Sequence, residues 1–441
     1  MTIQVSSSGT ELSTPATPAE KRQAYLQKLL DQKPAASDKL QAIRDRALTL
    51  VQEQALPSNK DEEWRFTDLA PLYKVEFQAA TSHALTAEQV STVKWDGVEH
   101  VAVFINGCFS AEFSNLDKLP AGITFNTLAD ATAETLQRIS QNPGANEIFT
   151  ALNSAAFEDA ALVQIAKNVI VESPLHCLFI SNSATGAPSV NTPRLLVDVE
   201  TGASAALVEE YVSIGDEATW TNTVAEVTLG ANAELKHSRI QRESKATFHI
   251  GKTSVTQARD SRYHSVNIGL GGQISRHTPE VTLLGNQTET NLDGLTLAAE
   301  TQVADTHSTL AFTTDHCSAN QLHKCIIDDS AQAVFNGKVF VPQAAQQTDA
   351  AQLSRNLLLS PKARVNTKPQ LEIVADDVKC AHGATVSQLE DDEVFYLQSR
   401  GLDRESACDL LIEAFAAEII DKCPAESMRQ GLLQQVLDQV R

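Results

Sequence analysis

Between Asp377 and Gly383 the chain reads Asp-Val-Lys-Cys-Ala-His-Gly. In an extended strand, residues two apart share a face. Cys380 and His382 would therefore present a thiolate and an imidazole side by side, a soft-to-borderline donor pair suited to iron or zinc. Two ligands do not complete a site, because tetrahedral centres need four donors or an open position. Any metal or cluster held here must borrow ligands, and a second chain is the natural source. Judged by pattern alone, a buried structural cysteine and a hydrogen-bonded histidine are the commoner outcome for such a pair.

A second group of metal-capable residues runs from Asp315-His316-Cys317 to His323-Lys324-Cys325, with His307 upstream. Its spacing fits no zinc finger or C-x-x-C pattern, and adjacent His316 and Cys317 would face opposite sides of a strand. A structural role is expected. Gly251-Lys252-Thr253 has the ending of a phosphate-binding loop, but Ala246 stands where the leading glycine is required. The surrounding pattern is strand-like, so no helix N-terminus is aimed at a phosphate. No nucleophile elbow, H-E-x-x-H or dinucleotide fingerprint is present, so no self-contained catalytic site is expected.

The elements that must position these residues are mostly strands. From about Ala161 to Leu389, short runs of Val, Ile, Thr and Phe are broken by Gly, Asn, Asp and Ser, without helical periodicity. Three segments, Val227–Leu235, Ala331–Val339 and Leu359–Val365, alternate strictly with their odd-numbered residues inward. One β-solenoid or two sandwiches in series would account for this. Small inward residues near each turn suit stacked coils, whereas the absence of a fixed-length repeat speaks against them.

Helices flank the β region. Thr17-Pro18-Ala19-Glu20 matches a capping box ahead of Tyr25, Leu26, Leu29 and Leu30, and Pro34 interrupts that helix. Ser37 is a candidate cap for a second helix with Leu40, Ile43, Ala47 and Leu50 on one stripe, ending before Pro57. Val101–Gly107 reads as a strand and turn. Near the C-terminus, Asp391–Arg400 should end at a left-handed Gly401, and Asp403 should cap a helix with Ala407, Leu410, Leu411, Ala414, Phe415 and Ile419 on one face. After Pro424, Leu432, Leu433, Val436, Leu437 and Val440 form a last stripe. These helices are expected to cap the open end of the solenoid and to offer a docking surface. The resulting division is a disordered tail at 1–17, a helical region at 18–80, a mixed α/β lead-in at 81–160, a β core at 161–389 and a helical region at 390–441.

Composition narrows the partners. Thirty-five basic against 56 acidic residues give a net charge of −21 over 441 residues. That field repels polyphosphate backbones and anionic lipid, so neither nucleic acid nor membrane is expected as a partner. No run approaches the ~18 apolar residues of a membrane-spanning helix. The N-terminus lacks a secretory pattern, so the seven cysteines are expected to stay reduced in a bacterial cytoplasm, ahead of a plastid stroma.

Six stretches together resemble the SufB/SufD family of iron–sulfur cluster assembly proteins: Asp61–Thr67 (DEEWRFT), Phe104–Gly107, Gln321–Lys324, Lys368–Ile373, Val378–Thr385 and Phe395–Gly401. The resemblance implies a mainly β fold, a right-handed parallel β-helix flanked by N-terminal and C-terminal helical regions. It favours the SufD side, because SufB proteins carry a cluster-building cysteine about where Ala363 stands. It implies that His382 is a transient iron or cluster ligand at an interface with a SufB-like paralogue, with Cys380 in the same motif. It further implies that a SufC-like ABC-type ATPase docks on about Asp391 to Ile420, a region that includes Phe395, Tyr396, Arg400, Leu410 and Phe415. The expected protein is then a non-catalytic scaffold with no permanently bound cofactor and a transient iron–sulfur cluster in the complex, able to form a homodimer in isolation. The competing reading is a β-helical polysaccharide-processing or carbohydrate-binding protein, which would need carboxylates converging in an open groove.

Overall fold

The computed structural model describes residues 17–32, 39–80, 85–183 and 186–440. Its first helix, Pro18–Asp31, starts on the expected capping box: Thr17 Oγ1 accepts from the Glu20 amide at 3.2 Å, and the Glu20 carboxylate accepts from the Thr17 amide at 2.6 Å. The second helix is Gln41–Glu53, with Leu40 at its N-cap and no side-chain cap bond. Ser37, Pro34 and the tail up to residue 16 lie outside the described residues.

Strands from Ala161 to Ser387 wind into a parallel β-solenoid of two facing sheets, which with the short strands between Gln78 and Asn126 hold eleven and ten strands among the described residues. Neighbouring strands within a sheet alternate in sequence with strands of the other sheet, as the order of both sheets shows. The step from one partner to the next is 28 residues from Trp220 to Phe248, 26 from Phe248 to Ile274, 29 from Ile274 to Val303 and 32 from Gln332 to Arg364. Turns absorb the variation, which hides the repeat from a fixed-period reading. Several of them use left-handed residues, among them Asn232, Asp260, His316 and Asp329, where Asn and Asp are the best tolerated non-glycine types.

The first end of the solenoid is closed. Strand His100–Ile105 turns through Asn106 and Gly107, both at positive φ, into Cys108–Phe109, which pairs antiparallel with it. On the other sheet Ile123–Asn126 runs antiparallel to Ala161–Ile165. These two short antiparallel strands stand last in their sheets.

Inward side chains build the core. Val227, Leu229, Ala233, Leu235, Val339 and Val341 belong to one apolar cluster with Tyr211, Tyr263 and Phe312, as the odd-numbered alternation required. The middle and later rungs carry polar groups in the same lumen. Burial pushes Glu209 up to about 7, against the opposing charge of Arg239. His237 is driven down to about 3 by burial and by Arg239. His323 falls to about 4 through burial; it stacks on Phe335 at 4.7 Å and shares a hydrogen bond with Thr296 at 3.2 Å.

The C-terminal helices do not cap the open end, contrary to the expectation above. Arg404–Ile420 and Glu426–Val440 lie along the outer face of the ten-stranded sheet. Ile412, Ala416, Ile419, Met428, Leu432 and Val436 pack there against Ile240, Val266, Leu295, Leu297 and Ile326. Outward-facing apolar residues form a strip that water disfavours, and the helices cover it. The buried face of Arg404–Ile420 is accordingly rotated from the predicted stripe: Ala407 and Ile419 are buried, whereas Leu410 and Ala414 are exposed. Polar bonds pin the helix, with Lys324 donating to the Phe415 carbonyl at 2.8 Å and Lys422 pairing with Asp293 at 2.6 Å.

Candidate functional site at the open end of the solenoid

The last rung consists of Arg364–Ile373 in one sheet and Val378–Ser387 in the other. Each strand pairs on one side only, with Gln332–Val341 and Thr348–Leu358 respectively. Ten residues of edge on each sheet therefore present unpaired backbone donors and acceptors, which is a template for another chain. Exposed apolar side chains cluster in sequence here: Ile373, Val374 and Val386, with Leu353 one strand back.

The register fixes where Cys380 and His382 point. Along Thr348–Leu358 the even residues Thr348, Ala350, Gln352, Ser354 and Asn356 are buried and the odd residues 349 to 355 are exposed. Cys380 is the partner of Ala350 and His382 of Gln352, so both continue the inward face, as a two-residue spacing predicts. No later rung covers them. His382 is exposed, while Cys380 is half-buried and packs on the apolar core. Burial raises the Cys380 thiol, opposed by a backbone hydrogen bond at Ala350, and a raised thiol is a poor source of the thiolate that binds metal. Among the described residues no three His, Cys, Asp or Glu side chains are arranged to hold a metal ion.

The second histidine–cysteine group does not form one site. His316 sits at positive φ in an exposed turn 3.4 Å from Asp315, whereas the Cys317 thiol is buried and donates to backbone carbonyls of Asp315 and Gly285 at 3.3 and 3.4 Å. His323 and Cys325 are buried, and burial pushes the Cys325 thiol up to about 12. All seven cysteines are free thiols. Gly251-Lys252-Thr253 lies inside strand Phe248–Gln257, and Lys252 is paired with Glu280. No phosphate loop forms there.

The DEEWRFT stretch acquires a role that its sequence did not disclose. Its short helical turn Glu62–Trp64 straps the N-terminal region across the outer face of the eleven-stranded sheet. Arg276 donates to the Glu63 carbonyl and to Asp305, both at 2.7 Å, with its guanidinium 3.9 Å above the Trp64 ring. Thr67 donates to Asp305 at 2.5 Å, Glu63 meets His307 at 3.1 Å, and Glu62 pairs with Lys368 of the last rung at 2.9 Å. Burial opposes the charge on His307, but Asp305 and Glu63 raise its pKa overall.

The predicted docking residues separate into two groups. Phe395 and Tyr396 are 71% and 57% exposed, Leu410 is 45% exposed, and Arg400 lies exposed over the Tyr396 ring at 5.2 Å. Phe415 is turned toward its own solenoid, with Lys324 4.2 Å and Arg355 5.6 Å from its ring.

The parallel solenoid is strapped at one flank, covered by helices on the other and bare at its last rung. Two family models match, the SufBD protein N-terminal region over residues 22–177 and the SufBD core domain of SUF system FeS cluster assembly over residues 179–415. The chain belongs to the SufBD family. An iron–sulfur cluster assembly SufBD family protein of Synechocystis is 45% identical over 405 residues, covering 89% of each chain. The chloroplastic protein ABCI7 of Arabidopsis thaliana is 37% identical over 92% of this chain and 87% of its own. The iron–sulfur cluster assembly protein SufD of Escherichia coli is 32% identical over 86% of this chain and 88% of its own. No described helix is long and apolar enough to cross a membrane.

Proposed function

We propose that this chain is a non-catalytic scaffold subunit of the SufD type, which builds iron–sulfur clusters together with a SufB-like paralogue and a SufC-like ATPase. The observation that carries the reading is the bare last rung: two ten-residue strand edges flank an open lumen at whose mouth His382 stands exposed. A second β-helix of the same family would continue both sheets and bury this mouth. His382 would then donate one nitrogen to a cluster whose remaining ligands come from the partner, and the cluster is cargo, not a resident cofactor. Cys380 supports the strand by packing on Ala350, and its half-buried thiol is the weaker donor. The exposed Phe395, Tyr396 and Leu410 suit an ATPase docking on Asp391–Ile420, since exposed aromatic side chains are favoured interface anchors. A reducing bacterial cytoplasm fits the seven free thiols.

The test is an anaerobic pull-down of the tagged chain from its native extract, with mass spectrometric identification and iron and sulfide assays. Recovery of SufB-like and SufC-like chains with wild type is expected. His382→Ala should recover the same partners with little or no acid-labile sulfide. Full iron and sulfide in that variant would refute the role of His382, and recovery of the chain alone would refute the scaffold reading.

A further inference from the structure

The rung beneath His382 holds a glutamine whose amide is only half used. Gln352 is buried and donates Nε2 to Gln321 Oε1 at 2.8 Å, while Gln321 donates its own amide to Ser308 Oγ at 2.8 Å. A hydrogen-bonded file thus rises through the lumen toward the open end. It stops one partner short, because Gln352 Oε1 is buried and has no hydrogen-bond partner. A buried acceptor left unpaired is unfavourable and calls for a donor.

The facing sheet is shaped around this amide. A Cβ at Gly337 would lie 2.0 Å from Gln352 Nε2 and 2.6 Å from its Cδ, so any larger residue there would push the amide aside. In the last rung the residue paired with Gly337 is Pro369, and the residue paired with Gln352 is His382. Proline has no N–H to offer. The imidazole has one, and hydrogen-bonded strand neighbours stand about 4.8 Å apart, a gap that an imidazole spans. Thr367, paired with Phe335, is one ladder over, and its hydroxyl is likewise buried without a partner.

We propose that Gln352 is a positioning residue for His382. Its Oε1 accepts the proton of the ring nitrogen that faces down the lumen, which fixes the tautomer and leaves the other nitrogen's lone pair toward the open end. Ligating histidines are commonly held in this way by an acceptor behind the ring. This inference rests on the reading of His382 as a ligand, and it adds how an otherwise exposed imidazole is aimed.

The experiment reads the imidazole proton directly. Full-length chain labelled with 15N,13C-histidine is examined by NMR at one pH above imidazole titration, with His382→Gln identifying the signal. Wild type should favour one tautomer of His382. Gln352→Leu should move the tautomer ratio roughly three- to tenfold toward that of a histidine in an unstructured peptide, the range one neutral hydrogen bond supports. Gly337→Ala, which displaces the amide, should mimic Gln352→Leu and serves if that variant does not fold. An unchanged ratio in both disruptive variants overturns the proposal. The ligand reading fails separately: it falls if His382→Ala assembles clusters normally, whatever the tautomer ratio shows.

Discussion

Acid should weaken this solenoid from the inside, and His323 is the group on which to measure it. Its folded pKa is driven to about 4 by burial, below the ~6.5 of an unfolded histidine. The folded chain therefore binds fewer protons than the unfolded chain between those values. The stability tied to neutral His323 is complete above pH 6.5 and is lost as pH falls toward 4. At pH 5 the difference amounts to about 2 kcal/mol, using about 1.4 kcal/mol per pH unit. His323 stacks on Phe335 and shares a hydrogen bond with Thr296, and neither neighbour carries a negative charge that would offset a protonated ring. The assay is urea unfolding of wild type and His323→Gln at pH 7.5 and pH 5. Between the two conditions wild type should lose about 2 kcal/mol more than the variant, whatever the variant costs at neutral pH. Equal losses would refute the reasoning and would place the ring in contact with water or a charge.

Two further outcomes test how the flanks are attached. Arg276→Met should destabilise the protein by about 1.5–3 kcal/mol, because the buried Asp305 loses a charged donor while keeping Thr67 and His307; thermal unfolding checks this, and a loss below about 1 kcal/mol would show the strap to be incidental. Gly431→Val should loosen the last helix, since even a Cβ there would come within 2.3 Å of the Trp95 ring; limited proteolysis should cut near Glu426–Val440 sooner, and unchanged protection would refute the contact.

How much of this was legible depends on whether a signal is local. The Thr17 capping box, the Asn106-Gly107 turn and the Asp403 cap of Arg404–Ile420 are written in four or fewer residues, and each formed as expected. Alternation in Val227–Leu235 likewise announced which side faces in. The coil length did not show, because turns stretch the step from 26 residues (Phe248 to Ile274) to 34 (Ala161 to Leu195) and no fixed period survives. Helix placement was misread for a different reason. Strands such as Glu289–Ala298 are apolar on both faces, with Leu292 in the lumen and Leu295 and Leu297 outside. Read for both parities, that pattern would have signalled a covered flank. At the candidate site, Cys380 and His382 were correctly assigned to one face, since a strand has period two. The half-used amide of Gln352 was invisible, because it depends on Gly337 across the lumen and on a register no single segment encodes.

The two ends of the coil are not equivalent, and this asymmetry sets the size of what can be built. Antiparallel strands Cys108–Phe109 and Ile123–Asn126 terminate the sheets at one end. A stack with two open ends would propagate as a filament, as head-to-tail contacts do when they fail to close. With pairing through the last rung, as proposed above, the chain would have a single growing tip, and joining tip to tip would consume both and stop at two. Under that reading, synthesis in excess of a SufB-like partner would yield self-paired dimers in place of fibres, and the ratio of the two chains would decide which pair forms.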